Sequence, residues 1–162
     1  DQNNPGTTIP VGQQSSSGVE IATSVKMMPN FLVSANLAYT DAQYHDFIEN
    51  VSGKAVSRVG NMPGNVPKVV SNLWLTWDVN AKLQVGLDAR YVSKRFGNTA
   101  NTVWDPAYTL LGASVRYQFT PQTRLTFRAK NLTDKVYAAS VGTGSFYLGA
   151  PRSFDLTLQH AF

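Results

Sequence analysis

The chain has 162 residues, the size of one domain, and only 15% of them are charged, with a net charge of +4, whereas about 25% charged residues is usual in a soluble domain. It has no cysteine, which removes a disulfide framework and any thiolate zinc site and leaves the redox compartment open. No run approaches the roughly 18 consecutive apolar residues of a membrane helix, so a spanning role would fall to a barrel. The basic residues are scattered singly, against a nucleic-acid patch.

Residues 1–16, DQNNPGTTIPVGQQSS, read as a flexible polar loop. A secreted chain needs a leader, so the leader is expected to have been removed or to belong to a longer precursor. From residue 17 a period-two alternation begins, the mark of a strand showing one side-chain set to each face of its sheet. Val19, Ile21, Val25 and Met27 oppose Glu20, Ser24 and Lys26, and after the turn Met28-Pro29-Asn30 the residues Phe31, Val33, Ala35, Leu37 and Tyr39 oppose Ser34, Asn36 and Thr40. A long link at 41–66, rich in Gly, Asn, Ser and Pro, leads to Leu73, Leu75 and Trp77 opposing Asn72, Thr76 and Asp78, with Trp74 breaking the polar parity. Past a tight turn at Asn80-Ala81-Lys82, Leu83, Val85, Leu87, Ala89 and Tyr91 oppose Gln84, Gly86, Asp88 and Arg90. A second link, 96–106, precedes Leu111, Ala113, Val115, Tyr117 and Phe119, opposed by Gly112, Ser114, Arg116 and Gln118. The turn Thr120-Pro121-Gln122-Thr123 joins that strand to Leu125, Phe127 and Ala129, opposed by Arg124, Thr126, Arg128 and Lys130. A third link, 132–149, leads to Phe154, Leu156, Leu158 and Phe162, which oppose Ser153, Asp155, Thr157 and Gln159, with His160 departing from the apolar set.

About seven strands are therefore predicted, near 17–28, 31–44, 67–79, 82–95, 107–119, 124–132 and 152–162, each of about the length that crosses a bilayer when tilted. Short turns alternating with long links are the asymmetry of outer-membrane barrels, with the short side periplasmic. Phe162 then lies on the periplasmic side and residues 1–16 outside. A soluble sandwich also alternates, but its strands average about five or six residues. Here the apolar faces are long and free of charge, and aromatics gather near strand ends as interfacial girdles do. The fold class is all-β, an antiparallel transmembrane barrel. An odd strand count cannot close alone, and unpaired backbone in lipid is costly, so the chain is expected to be part of a larger barrel.

Local chemistry gives structural roles first. Asn131 and Asp134 bracket a strand exit and suit Asx turns; Pro67 and Pro151 sit where a missing amide costs least; Gly18 and Gly149 are expected to be hinges. Gly142-Thr143-Gly144 lacks the lysine of a phosphate loop and reads as a flexible loop. His45 and His160 have no acidic or thiolate cluster at metal spacing, and no Ser, His and Asp set is placed by a motif.

Four motifs occur in order: Ser17-Gly18-Val19-Glu20; Asn65-Val66-Pro67 before Leu73, Trp74 and Leu75; Asn131-Leu132-Thr133-Asp134-Lys135-Val136-Tyr137; and Gly149-Ala150-Pro151-Arg152 before the last strand. Together they resemble the C-terminal third of TonB-dependent outer-membrane receptors, especially ferric-siderophore receptors. The resemblance covers nearly the whole chain from Ser17. It implies a plugged barrel of about 22 strands, to which this chain contributes about seven, with a plug domain and TonB box preceding it. It implies capture of a ferric siderophore as transported ligand, no cofactor or bound metal of its own, no enzymatic step, and import driven through TonB acting on the plug. Candidate ligand contacts on the outer side are Tyr44, His45, Trp104, Tyr108 and Tyr147, with Arg58 and Arg152 to attract an anionic chelate. For each, loop packing or interfacial anchoring is the plainer role. Inward-facing Arg90, Arg116, Arg128 and Lys130 are expected to face the plug, Arg116 and Arg128 as its ion-pair partners. Phe154, Leu156, Leu158 and Phe162 resemble the C-terminal strand that the barrel assembly machinery recognises. The further expected partners are the remaining barrel strands and outer-membrane lipid. A passive porin or adhesin barrel without a plug is the alternative; a barrel lipase or protease would need an inward Ser or Asp with His, and none is visible.

Overall fold

A computed structural model describes residues 12–162. In chain order the strands are β1 (Gln13–Met28), β2 (Phe31–Asp46), β3 (Ile48–Val51), β4 (Lys54–Ser57), β5 (Val69–Asp78), β6 (Leu83–Val92), β7 (Arg95–Phe96), β8 (Trp104–Asp105), β9 (Tyr108–Thr120), β10 (Thr123–Lys130), β11 (Ala138–Gly142), β12 (Ser145–Leu148) and β13 (Ser153–His160). Seven of them form one antiparallel sheet in the order β1-β2-β5-β6-β9-β10-β13, a meander in which each strand pairs with the next. The other six make three hairpins, β3 with β4, β7 with β8 and β11 with β12, one in each long link.

Register makes the meander two-faced. Val19 lies opposite Tyr39, Ile21 opposite Leu37 and Val25 opposite Val33; Val33 then meets Leu75 and Phe31 meets Trp77. The row continues through Leu75 with Leu87 and Trp77 with Val85, through Val85 with Val115 and Leu83 with Tyr117, and through Phe127 with Val115 and Leu125 with Tyr117. It ends with Phe127 opposite Leu156 and Leu125 opposite Leu158. Every strand thus delivers its apolar parity to one continuous face. Leu87 at 51% exposure and Leu156 at 69% show that this face finds no cover within the chain. A slip of one residue anywhere would exchange the two faces of that strand.

The opposite face is polar and laterally bonded. Ser24 and Ser34 hydroxyls lie 2.7 Å apart, Asn72 donates to Asn36 at 2.8 Å, and Arg90 donates to Asn72 at 3.3 Å. Gln84 donates to Asp78 at 2.7 Å, Arg124 donates to Gln159 at 2.5 Å, and Lys130 pairs with Asp155 at 2.7 Å.

One end of the sheet carries the tight turns. Asn80 Oδ1 accepts from Lys82 N at 2.9 Å and Leu83 N at 3.0 Å, and Thr120 Oγ1 accepts from Thr123 N at 3.1 Å, the Asx and ST devices of short turns. His160 shares the apolar parity, bonds Thr123 Oγ1 through Nδ1 at 2.8 Å and stands edge-on to Phe162 with centroids 4.8 Å apart. Its polar atom therefore has a neighbour at the rim of the apolar band.

Several expectations need correction. Gln13–Ser16, expected in the N-terminal loop, are the first residues of β1 and pair with residues 42–46; residues 1–11 of that loop lie outside the described residues. Their two polar faces hide the strand from a hydrophobic-period reading, while the backbone ladder continues. Tyr44, at the end of the strand predicted over 31–44, and His45, just past it, both belong to β2, which runs on to Asp46. Gly142-Thr143-Gly144 is the tip of the β11–β12 hairpin, with Gly144 at φ 85°. Gly18 lies within β1 opposite Thr40 and is no hinge: a Cβ there would strike the Tyr39 carbonyl.

If the apolar face meets hydrocarbon, Leu87→Arg in the assembled barrel is expected to cost about 2–4 kcal/mol. A reversible denaturant titration into lipid bilayers measures it, and an unshifted midpoint would reject the assignment of this face.

Candidate functional site

At the end opposite the tight turns, the three links 47–68, 93–107 and 131–152 are sewn to one another by side chains. Asn101 forms a two-way clasp with Met62, accepting from its N–H and donating to its carbonyl, both at 2.8 Å. Asn61 donates to Thr99 O at 2.8 Å. Glu49 Oε2 accepts from Arg58 Nε at 2.7 Å and from Thr99 Oγ1 at 2.9 Å. The Arg58–Glu49 bond lies within the first link, and the others join the first link to the second.

The third link is held by both others. Asn65, in the left-handed region at φ 61°, accepts from Val141 N and donates to Val141 O, both at 2.8 Å. It supplies Val141 with the two bonds a neighbouring strand would give. The Val141 side chain is the most fully enclosed in the described residues and rests on Gly97. From the second link, Arg95 donates to the Ala138 carbonyl and pairs with Asp105 at 3.4 Å. Both members of that pair are buried, and Arg95 Nε has no partner, an arrangement held for geometry more than for net stability.

The strand-exit motif explains how the third link folds back. Asn131, at φ 50°, accepts from Lys135 N at 2.9 Å and donates to Lys135 O at 3.0 Å and Ala150 O at 3.2 Å. Asp134 accepts from Arg152 N at 2.9 Å. These are the Asx roles the sequence predicts, extended to the far end of the link. The Tyr137 ring lies where a Cβ on Gly149 would be, so Gly149 is a seat for that ring and no hinge. Tyr137 also packs on Tyr108, with centroids 4.7 Å apart.

The candidate contact residues separate by environment. Arg58 is committed to Glu49. Tyr108 is enclosed between Tyr137 and the Arg95 guanidinium, 6.0 Å from its centroid. Tyr44 packs on Phe47 at 4.8 Å. His45 shares parity with Tyr39 and bonds Ser15 Oγ at 2.6 Å, away from the polar face. Trp104 (51% exposed) and Tyr147 (69% exposed) remain open, and the Arg152 side chain is exposed. Lys94, absent from the sequence candidates, holds its ammonium 4.6 Å from the Trp104 centroid and 4.9 Å from that of Phe96. Its only sequence signal is that it lies between a strand end and the hairpin. On the polar face Arg90, Arg116, Arg128 and Lys130 all take the expected parity. Among the described residues no group of His, Cys, Asp or Glu could hold a metal ion.

A sheet with one apolar face, tight turns at one end and sewn loops at the other is a section of a membrane-spanning β-barrel wall. The family described as TonB dependent receptor-like, beta-barrel matches residues 1–132, and the chain belongs to that family, whose members are receptors of the bacterial outer membrane. It is 33% identical over 140 residues to the probable TonB-dependent siderophore receptor PiuA of Acinetobacter baumannii, covering 84% of this chain and 19% of that one. It is 28% identical over 161 residues to the ferrioxamine receptor of Yersinia enterocolitica, covering 95% of this chain and 22% of that one. The crystal structure of the PiuA receptor superposes with a TM-score of 0.82 at 29% identity, over 92% of this chain and 22% of that one. The chain thus spans about a fifth of the length of these relatives.

The bonds from Arg58 and then Thr99 hold the Glu49 carboxyl below the usual carboxylate range. A folded value below the unfolded one contributes fully at neutral pH and is lost as pH falls through the depressed value. In the full receptor, amide protection factors over 47–62 and 98–102, taken against the intrinsic exchange rate at each pH, are expected to fall as pH drops below the ordinary carboxylate range, and Glu49→Gln to remove that step. An acid profile unchanged by the substitution would locate the loosening elsewhere.

Proposed function

We propose that this chain forms part of the barrel wall of a plugged receptor that captures a ferric siderophore at the outer face and imports it by TonB-driven movement of the plug. The observation that carries this reading is the pairing of a lipid-type apolar wall with outer loops sewn into a fixed shape. Family membership and the printed function of the relatives support it; a passive porin or adhesin finds no such support. No bond of the substrate is made or broken in this scheme. The remaining barrel strands satisfy the β1 and β13 edges, and the polar face looks onto the plug.

Recognition falls to groups that are open and pre-positioned. Trp104 and Tyr147 offer flat apolar surface, and Lys94 and Arg152 offer charge for an anionic chelate. Arg58 and Tyr108 act one step back, within the tied loops, and Tyr44 and His45 brace the upper end of β1 and β2. Ordering costs little when loops are already tied to each other, so contacts made there count more fully toward affinity.

Binding of a panel of ferric siderophores to the full receptor, followed by tryptophan fluorescence and iron uptake, tests the reading. Trp104→Ala and Tyr147→Ala are each expected to weaken binding of the accepted chelate by roughly tenfold, the size of an aromatic contact residue. Uptake of none of the panel would reject the ferric siderophore as substrate, and unchanged affinity would remove these residues from the site.

Assembly gives a second prediction. Phe154, Leu156 and Leu158 stand exposed on one face of β13, and Phe162 is exposed two residues past its end, with Phe127 stacked on Phe154 at 5.9 Å, and we infer that this edge is what the assembly machinery reads. Removal of Phe162 from the full receptor is expected to lower the amount of heat-modifiable barrel in outer membranes, whereas a normal yield would count against that role.

A further inference from the structure

The polar face contains one position where the sheet's own needs do not explain the residues. Midway along the wall, Gly86 faces Ser114 across the β6–β9 ladder, and a Cβ on Gly86 would come within 2.6 Å of Ser114 Oγ. These small residues floor a hollow of about 390 Å³ whose rim includes Trp74, Asp88, Arg116, Arg128 and Lys130. Trp74 is 42% exposed there, although the other face of the same strand is where apolar surface belongs.

Charge at the rim is unbalanced. Lys130 is neutralised by Asp155. The ion pairs among the described residues are those of Arg58, Lys68, Arg95 and Lys130, so neither Arg116 nor Arg128 has a carboxylate partner. Arg116 lies opposite Thr126 and Arg128 opposite Ser114, which makes the two arginines diagonal neighbours on adjacent strands, about 7–8 Å apart at the backbone. Two guanidinium forks at that spacing can close on one carboxylate from both sides. Asp88 belongs to the same rim, but on the ladder it is opposite Gly112, four pairs from the Gln84–Arg116 pair.

Resting on the plugged-receptor reading, we propose that this hollow is a plug seat: one acidic side chain of the plug is clamped between Arg116 and Arg128, and an apolar neighbour of that acid packs on Trp74. Charge complementarity selects the occupant's chemistry, and the small floor sets the room for it. Its place on the face opposite the lipid-type rows excludes lipid. The seat fastens the plug to the wall by a contact that TonB-driven movement has to break.

The test uses the full-length receptor in detergent, with hydrogen–deuterium exchange read over plug peptides and heat-modifiability read on the barrel. Arg116→Gln with Arg128→Gln is expected to quicken exchange in one plug segment by roughly tenfold while the barrel stays heat-modifiable. Arg116→Lys with Arg128→Lys, which keeps the charge and loses the fork, is expected to restore part of the protection. A photoreactive benzoylphenylalanine replacing Trp74 is expected to cross-link to a plug peptide containing Asp or Glu. Unchanged plug exchange in the glutamine variant overturns the seat. So does slowed ferric uptake with an unaffected plug, which would give the arginines to the anionic chelate during passage. A full-length protein without any plug would overturn the receptor reading itself, and a wild-type receptor inactive toward every ferric siderophore, yet with a responsive plug, would overturn only its substrate.

Discussion

A backbone N–H or C=O in hydrocarbon has no water to turn to, and leaving it unpaired costs several kcal/mol. The rest of this chain's design follows from that constraint. Each long strand is fully laddered to its sequence neighbour, which yields a meander without crossovers. Once the ladder fixes the backbone, the pleat sends alternate side chains to opposite solvents, and the sequence has to alternate in step. The apolar row from Val19 to Leu158 runs across all the long strands, and the ladder aligns it. Only the edges β1 and β13 lack a neighbour among the described residues, and in lipid neither could remain so.

Above the height of the apolar band the constraint relaxes, and the chain's behaviour changes. β1 and β2 continue their ladder into residues that are polar on both faces, because pairing is still favourable in water but no longer forces a pattern. Loops there are built on short hairpins and tied to one another largely by side chains. Asn65 substitutes for a strand partner at Val141, 76 positions away. Asn101 does the same for Met62 from another link. Such contacts convert long links, which would otherwise cost entropy to order at each binding event, into a shaped surface.

This division also decides what could be read from sequence. The strands facing lipid were legible, as was their parity, because solvent imposes a two-residue period on them. Turn chemistry at Asn80 and Thr120 was legible because its partners lie within a few residues. The upper reaches of β1 and β2 and the three hairpins were not, since water on both sides leaves no period. The predicted end at 44 stopped β2 short of His45 for that reason. The motif from Asn131 to Tyr137 showed its local Asx turns, but the ring seat on Gly149 needed the third dimension. Among candidate contacts, the residue types were readable and their availability was not: Arg58 and Tyr108 proved committed within the loops, and Lys94 drew attention only through its approach to Trp104.

What the fold demands and what it merely permits differ on the two faces. Lipid forbids charge at Leu87, so that residue says little beyond burial in hydrocarbon. A wet wall tolerates almost any polar residue, and Ser, Thr or Gln at positions 116 and 128 would satisfy the sheet equally well. Exposed arginines add little to stability even when paired, and close like charges repel. Arg124 and Lys130 have partners on β13 that account for them. Arg116 and Arg128 have no carboxylate partner, and beside them Trp74 exposes apolar surface on a polar face at a position where solvent would favour something smaller. Residues that run against the preferences of their own sheet point to a demand made by another body, and in the receptor proposed above the body facing this side of the wall is the plug.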